Sequence, residues 1–306
     1  MSKKKPLGQV LFIINKTAGS GNHAGIEGLI AVLASRHRVA ASMSYTKSPG
    51  HATVMARTAV ADGWSAVVAV GGDGTVNEVA QALVDTQVSM GIVAIGSGNG
   101  LARHLGISLK PSEAMDQVFR SATQAIDTFT VNGRLSVNVS GIGFDGHIAN
   151  LFGNKGSRGF LGYIKLAVSE FQKFRSFSFT IEIDGREIGR DAFILAVANS
   201  SQYGNNARIA PRASVMDGRL HMNIVKRVPP YRLDFLYGLF QGGLHQSSFC
   251  EIIELQTSAR ITIATNIPFH IDGEAAGKAK VFDIRIKPAS LNVLIPEFRP
   301  SASSLL

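Results

Sequence analysis

Residues 69–79 read Ala-Val-Gly-Gly-Asp-Gly-Thr-Val-Asn-Glu-Val: an apolar strand end, a glycine-rich turn and the start of a helix. Gly71, Gly72 and Gly74 leave room for a phosphate to approach the backbone, and Asp73 sets a carboxylate in the same turn. Together they point to phosphoryl transfer from a nucleotide. Two further strand-to-helix junctions carry glycine, Asn15–Gly21 and Gly96–Asn99. A helix N-terminus offers unpaired N–H groups and a partial positive charge, so three such junctions on one sheet edge can surround a polyphosphate. One glycine turn alone is most often only a turn; three in series, one with Asp, favour a ligand site. The standard nucleotide fingerprints are missing. Gly19-Ser20-Gly21 lacks the later glycine of a dinucleotide loop, and no Gly-Lys-Ser/Thr ending marks a P-loop.

The elements that must hold these loops alternate. Val10–Ile14, Arg38–Tyr45, Ala66–Val70 and Met90–Ile95 read as strands, and Ile26–Ser35, His51–Asp62, Asn77–Val84 and Ser112–Arg120 as helices. This order predicts an α/β domain with a mostly parallel sheet, whose ligands bind at the carboxyl ends of the strands. From about Ala125 the pattern turns β-rich, with strand-like runs at Thr128–Val131, Leu135–Gly141, Phe177–Ile183, Ala192–Ala198, Leu220–Val225, Glu251–Leu255, Ala259–Ala264, Phe269–Ile271 and Val281–Lys287. Asn132-Gly133 and Asp184-Gly185 are hairpin signals. Helical spacing interrupts this region at Phe160–Phe174 and Tyr231–Leu244. The expected division is an α/β nucleotide-binding domain over residues 1–127, a mainly antiparallel domain over 128–300 whose last segment returns to the first, and a tail over 301–306.

Composition bounds the reading. The 306 residues are 45% hydrophobic and 17% charged, as a folded globular chain requires, and the net charge is +9. A basic balance favours nucleotides, nucleic acid or an anionic membrane surface. Charge is the whole case for nucleic acid, with no stacking-aromatic motif beside it, so that partner is not expected. The single cysteine, Cys250, allows no intrachain disulfide and no Cys-rich zinc site, which fits a reducing compartment. Lys3–Lys5 followed by Val10–Ile14 is too short to be a signal peptide, and no uncharged apolar run reaches the roughly 18–20 residues of a membrane span. The expectation is a cytoplasmic protein, peripheral to a membrane at most.

Gly71-Gly72-Asp73-Gly74-Thr75-Val76-Asn77-Glu78 resembles the nucleotide motif of the diacylglycerol kinase catalytic domain family, which includes bacterial soluble lipid kinases and sphingosine and ceramide kinases. Ile14-Asn15 with Gly19-Ser20-Gly21 resembles its first nucleotide loop, with Lys16 in place of a proline. Thr46 with Gly50-His51-Ala52, the run Gly96–Ala102, and Gly143-Phe144-Asp145, Asp217-Gly218 and Asp272-Gly273-Glu274 resemble further markers in the same order. The resemblance spans nearly the whole chain. It implies a kinase with an N-terminal nucleotide domain and a C-terminal β-rich lipid domain. ATP with Mg2+ is the implied cofactor pair, and a lipid at a membrane surface the implied partner; a homodimer stays open.

Carried over by motif position, Asn15, Thr46, Gly71, Gly72, Gly74, Thr75, Ser97 and Asn99 would contact the nucleotide, with Ser97 also fit to be an ordinary helix cap. Two carboxylates compete for the role of base, Glu274 by analogy with bacterial diacylglycerol kinases and Asp73 by analogy with sphingosine kinases. A carboxylate of ordinary pKa (about 4) is a weak base, so positioning and partial burial must help it. Glu274 is preferred, with Asp73 acting on magnesium, ATP or the hydroxyl. Asp145 would orient the lipid hydroxyl. Ser214, Asp217 and the backbone of Arg219 resemble a structural magnesium site, against which stands a plain turn at Asp217-Gly218. On the acceptor side, Phe160, Ile164, Ala167, Val168 and Phe171 form one apolar helical face, which Leu161, Tyr163 and Leu166 spread wider, and Leu233, Leu236, Tyr237, Phe240 and Leu244 form a second. Such stripes most often serve a core; in this family they also admit acyl chains. Lys165, Lys173, Arg175, Lys226, Arg227 and Arg232 flank them and suit anionic headgroups. The expected activity is ATP-dependent phosphorylation of diacylglycerol or a sphingoid-type alcohol. NAD kinase, which shares the GGDGT turn, and a non-catalytic lipid- or nucleotide-binding protein are the rivals.

Overall fold

The computed structural model describes residues 7–19, 25–155, 160–229, 238–241 and 247–296. Ser20, Gly21, most of the Tyr231–Leu244 stripe and the tail from residue 297 lie outside them. The chain forms two units. One comprises Met1–Gly96, Ala102–Ala125 and Leu291–Leu306; the other comprises Ser97–Leu101 and Ile126–Ser290.

The first unit is built on strands β1 (Gln9–Ile14), β2 (Ala40–Tyr45), β3 (Ala66–Gly71) and β4 (Ser89–Ala94), all parallel in the order β2-β1-β3-β4. The end of β14 (Glu274–Ile295) adds to β4 in parallel, with Val293 opposite Met90. Every residue of β3 and β4 is buried, as continuous apolar strands with both faces covered require. Helices α1 (Ile26–His37), α2 (His51–Ala61), α3 (Asp73–Leu83), α4 (Gly100–His104) and α5 (Pro111–Arg120) follow the strands; α1 packs on α5 and α2 on α3. Pro111 opens α5 at a position where a missing N–H costs nothing.

The second unit is antiparallel. β12 (Cys250–Leu255), β11 (Leu220–Val225), β10 (Ile194–Ala198), β7 (Val139–Gly143), β13 (Ala259–Ile271) and the first part of β14 lie in that order. β8 (Phe177–Ile183) and β9 (Arg186–Ala192) extend from β13, and β5 (Ala122–Val131) pairs with β6 (Arg134–Ser136) and β14. The hairpin signals are borne out, with φ of 51° and 77° at Asn132-Gly133 and 50° and 73° at Asp184-Gly185. A register shift between Thr262 and Ile267 lets β13 pair with β8 through Ala259–Ile263 and with β7 through Phe269–Ile271. Phe129, Ile181, Leu195, Met222, Ile261 and Phe282 are among the residues filling its core.

Several expectations need correction. The helix after the glycine turn begins at Asp73, not Asn77, so Asp73-Gly74-Thr75 is its first turn. The run Leu135–Gly141 is split between β6 and β7, because the amides of Val137 and Asn138 turn to the Asp272 carboxylate. The two runs near Ala259 and Phe269 are one strand, and Val281–Lys287 is part of a strand beginning at Glu274. Helix α6 (Phe144–Lys155) follows β7 where no helix was read. In α7 (Phe160–Glu170), Tyr163, Leu166 and Ala167 pack on Phe144, Ile148 and Phe193, while Ile164 and Val168 are exposed, at 37% and 72%. Of the broad face expected, Tyr163, Leu166, Ala167 and Phe171 are thus turned to the cluster, while Ile164 and Val168 are left outside it. No helix among the described residues is long and apolar enough to cross a membrane.

Candidate active site

In the first unit the carboxyl ends of β1, β3 and β4 converge. The Asn15 N–H donates to Val70 O at 2.9 Å, and the Ile95 N–H to Gly71 O at 2.9 Å, so the three loops leave the sheet side by side. The Asn15 side chain donates to Thr75 Oγ1 at 3.1 Å and accepts from the Thr17 N–H and hydroxyl. Glycine is required by space here. A Cβ on Gly71 would fall 2.4 Å from Thr75 Oγ1; one on Gly19, where φ is +66°, would fall 2.2 Å from Ile95 O. Gly72 is the N-cap of α3 with no side-chain cap, and Asp73 is its first residue, half-buried. An acidic residue in the first turn complements the helix dipole. Asn15, Gly71, Gly72, Gly74 and Thr75 are therefore together, with backbone predominating. Lys16, at the place of the family's proline, lies 3.8 Å from the Tyr45 ring centroid, a cation–π contact.

Thr46 joins this edge through its N–H, which donates to Ile14 O at 3.0 Å. The segment after it is held by a residue no role had been given. Glu78 Oε1 accepts the Gly50 N–H at 2.8 Å and Oε2 the Ala52 N–H at 3.0 Å, while the Thr53 hydroxyl donates to Glu78 O. Helix α2 has no cap of its own, and the carboxylate from α3 serves as one. The Glu of the motif is thus a brace for the Gly50-His51-Ala52 turn.

Ser97 and Asn99 belong to the second unit. Ser97 is three residues ahead of α4, so it does not cap that helix. Asn99 has φ of 56° and bridges Gly204, and the Asn205 N–H donates to Gly98 O at 3.2 Å. A Cβ on Gly204 would lie 2.7 Å from Gly98, and one on Gly100 2.3 Å from Asn138 Nδ2, so this loop too is packed backbone to backbone.

The same unit holds a buried side-chain cluster. Asp145, in the first turn of α6, is 6% exposed. Its Oδ1 accepts the Gly146 N–H at 2.8 Å; its Oδ2 accepts the Tyr203 hydroxyl at 2.7 Å and faces His270 Nε2 across 3.4 Å. Burial, the Asp145 charge and that hydrogen bond push the Tyr203 phenol well above its ordinary pKa. Burial and the Asp145 charge also raise Tyr163. His270 is opposite Gly141 on the neighbouring strand, and a Cβ there would fall 1.8 Å from Asp145 Oδ2 and 2.5 Å from His270 Nε2. The glycine-rich run before Asp145 is the space into which acid and imidazole fold. Tyr203 and His270 were missed by sequence reasoning; the only signal was the histidine two places before Asp272.

Asp272, buried, accepts the Ser136 hydroxyl at 2.6 Å and the N–H groups of Val137 and Asn138 at 2.9 and 3.0 Å. It anchors the turn (φ 49° at Asp272, 87° at Gly273) that delivers Glu274, exposed, to the start of β14. In the loop Pro211–Leu220, Ser214 Oγ accepts the Met216 N–H at 3.3 Å and Asp217 Oδ1 the Arg219 N–H at 3.0 Å. The carboxylate beneath this loop is Asp127, whose oxygens accept the Gly218 and Ala289 N–H groups at 2.7 Å each. Ser214 and Asp217 are thus engaged in turns of their own chain, with one exposed carboxylate between them. Among the described residues no three His, Cys, Asp or Glu side chains gather as a metal would need.

Comparison with known proteins agrees with this architecture. Residues 9–131 match the model of the diacylglycerol kinase catalytic domain, and residues 138–295 that of the YegS C-terminal NAD kinase beta sandwich-like domain. The chain belongs to the diacylglycerol kinase family of lipid kinases. It is 28% identical to a "Diacylglycerol kinase" of Mycobacterium tuberculosis (strain CDC 1551 / Oshkosh) over 96% of this chain and 97% of that one. It is 29% identical to a "Probable lipid kinase YegS-like" protein of Pseudomonas putida over 84% and 86%. A crystal structure of a diacylglycerol kinase from Bacillus anthracis str. Sterne shares the fold, with a TM-score of 0.75 at 18% identity over 96% of this chain and 99% of that one.

Proposed function

We propose that this protein transfers the γ-phosphoryl group of ATP, taken up with its Mg2+, to the hydroxyl of diacylglycerol or a sphingoid-type alcohol. The observation that carries the reading is the junction at Gly71–Thr75. There the third strand of a parallel sheet ends in two glycines and a helix whose first residue is acidic, beside the Asn15–Gly19 loop. Phosphoryl transfer requires little covalent chemistry of the protein; it requires a held triphosphate, an oriented hydroxyl and a base. The N–H groups of the α3 first turn and the Asn15, Thr46 and Thr75 side chains would hold phosphate. Mg2+ bound with the nucleotide would supply neutralisation of the phosphate charge, while the residues named above would hold the phosphates. Asp145 orients the acceptor hydroxyl, and Glu274 takes its proton. Asp73 acts on the nucleotide side.

A peripheral membrane location follows from the substrate. The apolar side chains Ile164 and Val168 are exposed on α7, Lys165, Lys173 and Arg175 are exposed on and just after it, and Lys226 and Arg227 are exposed after β11, a set suited to an anionic lipid surface.

The test is ATP consumption across diacylglycerol, monoacylglycerol, sphingosine, ceramide, phosphatidylglycerol and NAD, presented in anionic vesicles. Lipid-dependent turnover is expected. Selective turnover of NAD would sink the reading, and silence on every acceptor would favour a binding protein of the same fold. With the acceptor known, Glu274→Gln is expected to lower kcat about 10²–10⁴-fold, the usual worth of a general base. Near-normal turnover in Glu274→Gln together with its loss in Asp73→Asn would exchange the two roles.

A further inference from the structure

His270 has both ring nitrogens engaged, and by two different parts of the second unit. Nδ1 accepts the N–H of Gly273 at 3.1 Å. A nitrogen that accepts carries no proton, so in the neutral ring the proton is on Nε2. Nε2 faces Asp145 Oδ2 across 3.4 Å. The ring is 2% exposed and lies edge-on to Tyr203, with centroids 5.9 Å apart. Tyr203 donates to the same Asp145 oxygen. Asp145 opens α6, whereas Gly273 is the residue before Glu274, at the start of β14. One imidazole therefore spans the segment bearing the proposed acceptor-orienting acid and the turn bearing the proposed base. Gly141, opposite His270, leaves the space in which it does so.

We propose that His270 is a positioning residue: it ties Asp145 to the Asp272–Gly273–Glu274 turn, so that the two carboxylates are held in one fixed relation. Its role in turnover rests on the lipid-kinase reading; the tie itself does not. The groups that face the ring are Asp145 of α6, Tyr203 of the loop after β10, and Gly273 of its own turn. Tyr163 of α7 acts through the Asp145 charge, and the Asp272 carboxylate is directed to Ser136, Val137 and Asn138.

Two isosteric variants separate the two ends of the tie. His270→Asn places an amide oxygen near Nδ1 and keeps the Gly273 end; His270→Gln places an amide nitrogen near Nε2 and keeps the Asp145 end. Each is expected to lower kcat for lipid phosphorylation about 10–100-fold with KM for ATP unchanged, since a misplacement of about 1 Å costs on that order. A residue that served only packing would shift the melting temperature and leave kcat of the folded variants within two-fold, which would overturn the proposal. The arm independent of turnover is 15N NMR of the histidine rings of the full chain. The His270 ring should be the Nε2–H form, and Asp145→Asn should move its Nε2 15N signal, since the carboxylate facing that nitrogen is gone. An Nδ1–H ring, or an Nε2 signal that does not move, overturns the tie even if no lipid is ever phosphorylated. Tyr203→Phe supplies the same measurement should Asp145→Asn not fold: loss of its hydrogen bond to Asp145 should move the His270 Nε2 signal, and an unmoved signal counts against the tie.

Discussion

The two units place their polar groups by opposite means. At the strand ends of the first unit the work falls to backbone: N–H groups of an α3 first turn without a side-chain cap, glycines at 19, 71 and 72, and loops laid against each other. In the second unit it falls to side chains taken out of water. Asp145, Tyr203, His270 and Asp272 are all buried or nearly so and satisfied by one another or by local amides. A backbone site stays solvated and adaptable, as a shuttling nucleotide needs. A buried network fixes geometry but is costly to break, because each orphaned donor has lost its water as well as its partner.

The largest effect expected from this contrast is at Asp272. Asp272→Ala strips the acceptor from one hydroxyl and two amides at once. It should destabilise the protein by about 3–5 kcal/mol, seen as a fall in the urea midpoint. Glycine-loop variants of the first unit, by comparison, should act first on KM for ATP. A loss under about 1 kcal/mol at Asp272 would mean that water replaces the carboxylate and that the two units differ less than claimed.

The contrast also explains what could be read without a structure. Backbone sites leave a local signature, because close approach demands glycine at fixed offsets within a few residues; the junctions at 15–19, 71–75 and 96–99 were legible for that reason. The alternation of strand and helix gave the parallel sheet, and Asn-Gly and Asp-Gly gave the hairpins. The side-chain cluster draws on residues 141, 145, 203 and 270, which no spacing rule connects. The break between β6 and β7 was hidden likewise, since its cause is a carboxylate more than a hundred residues away. On α7 the broad apolar face was visible but not which part of it is covered: the cluster around Phe144 and Phe193 takes Tyr163, Leu166, Ala167 and Phe171 and leaves Ile164 and Val168 outside. Glu78 was visible as part of a motif, and its task could be learned only from the amides it holds.

The next effect is set by pH. His104, in the first unit, has its pKa lowered to about 4 by burial. Unfolding returns it to the ordinary value near 6.5, so between those limits the unfolded chain binds more protons than the folded one. Its contribution is therefore present above about pH 6.5 and is lost as pH falls toward 4, up to roughly 3 kcal/mol. His104→Gln should flatten the urea midpoint over that window. An unchanged slope would assign acid sensitivity to the buried network of the second unit instead.

The smallest effect is the one that tests the comparison most directly, because Glu78 is a side chain acting where the first unit otherwise relies on backbone. Its two oxygens replace a missing cap on α2 and so hold Gly50, His51 and Ala52, next to Thr46. Glu78→Ala should cost about 1–2 kcal/mol, the value of a lost N-cap with its charge. Glu78→Gln keeps one acceptor oxygen and should cost about half as much, since only the second amide loses its partner. If the turn merely presents Thr46 and the Gly50–Ala52 backbone to the nucleotide, both variants raise KM for ATP in proportion to the stability lost and leave kcat within about two-fold. A collapse of kcat at full stability would instead make Glu78 part of the chemistry, and the first unit would then be a side-chain site after all.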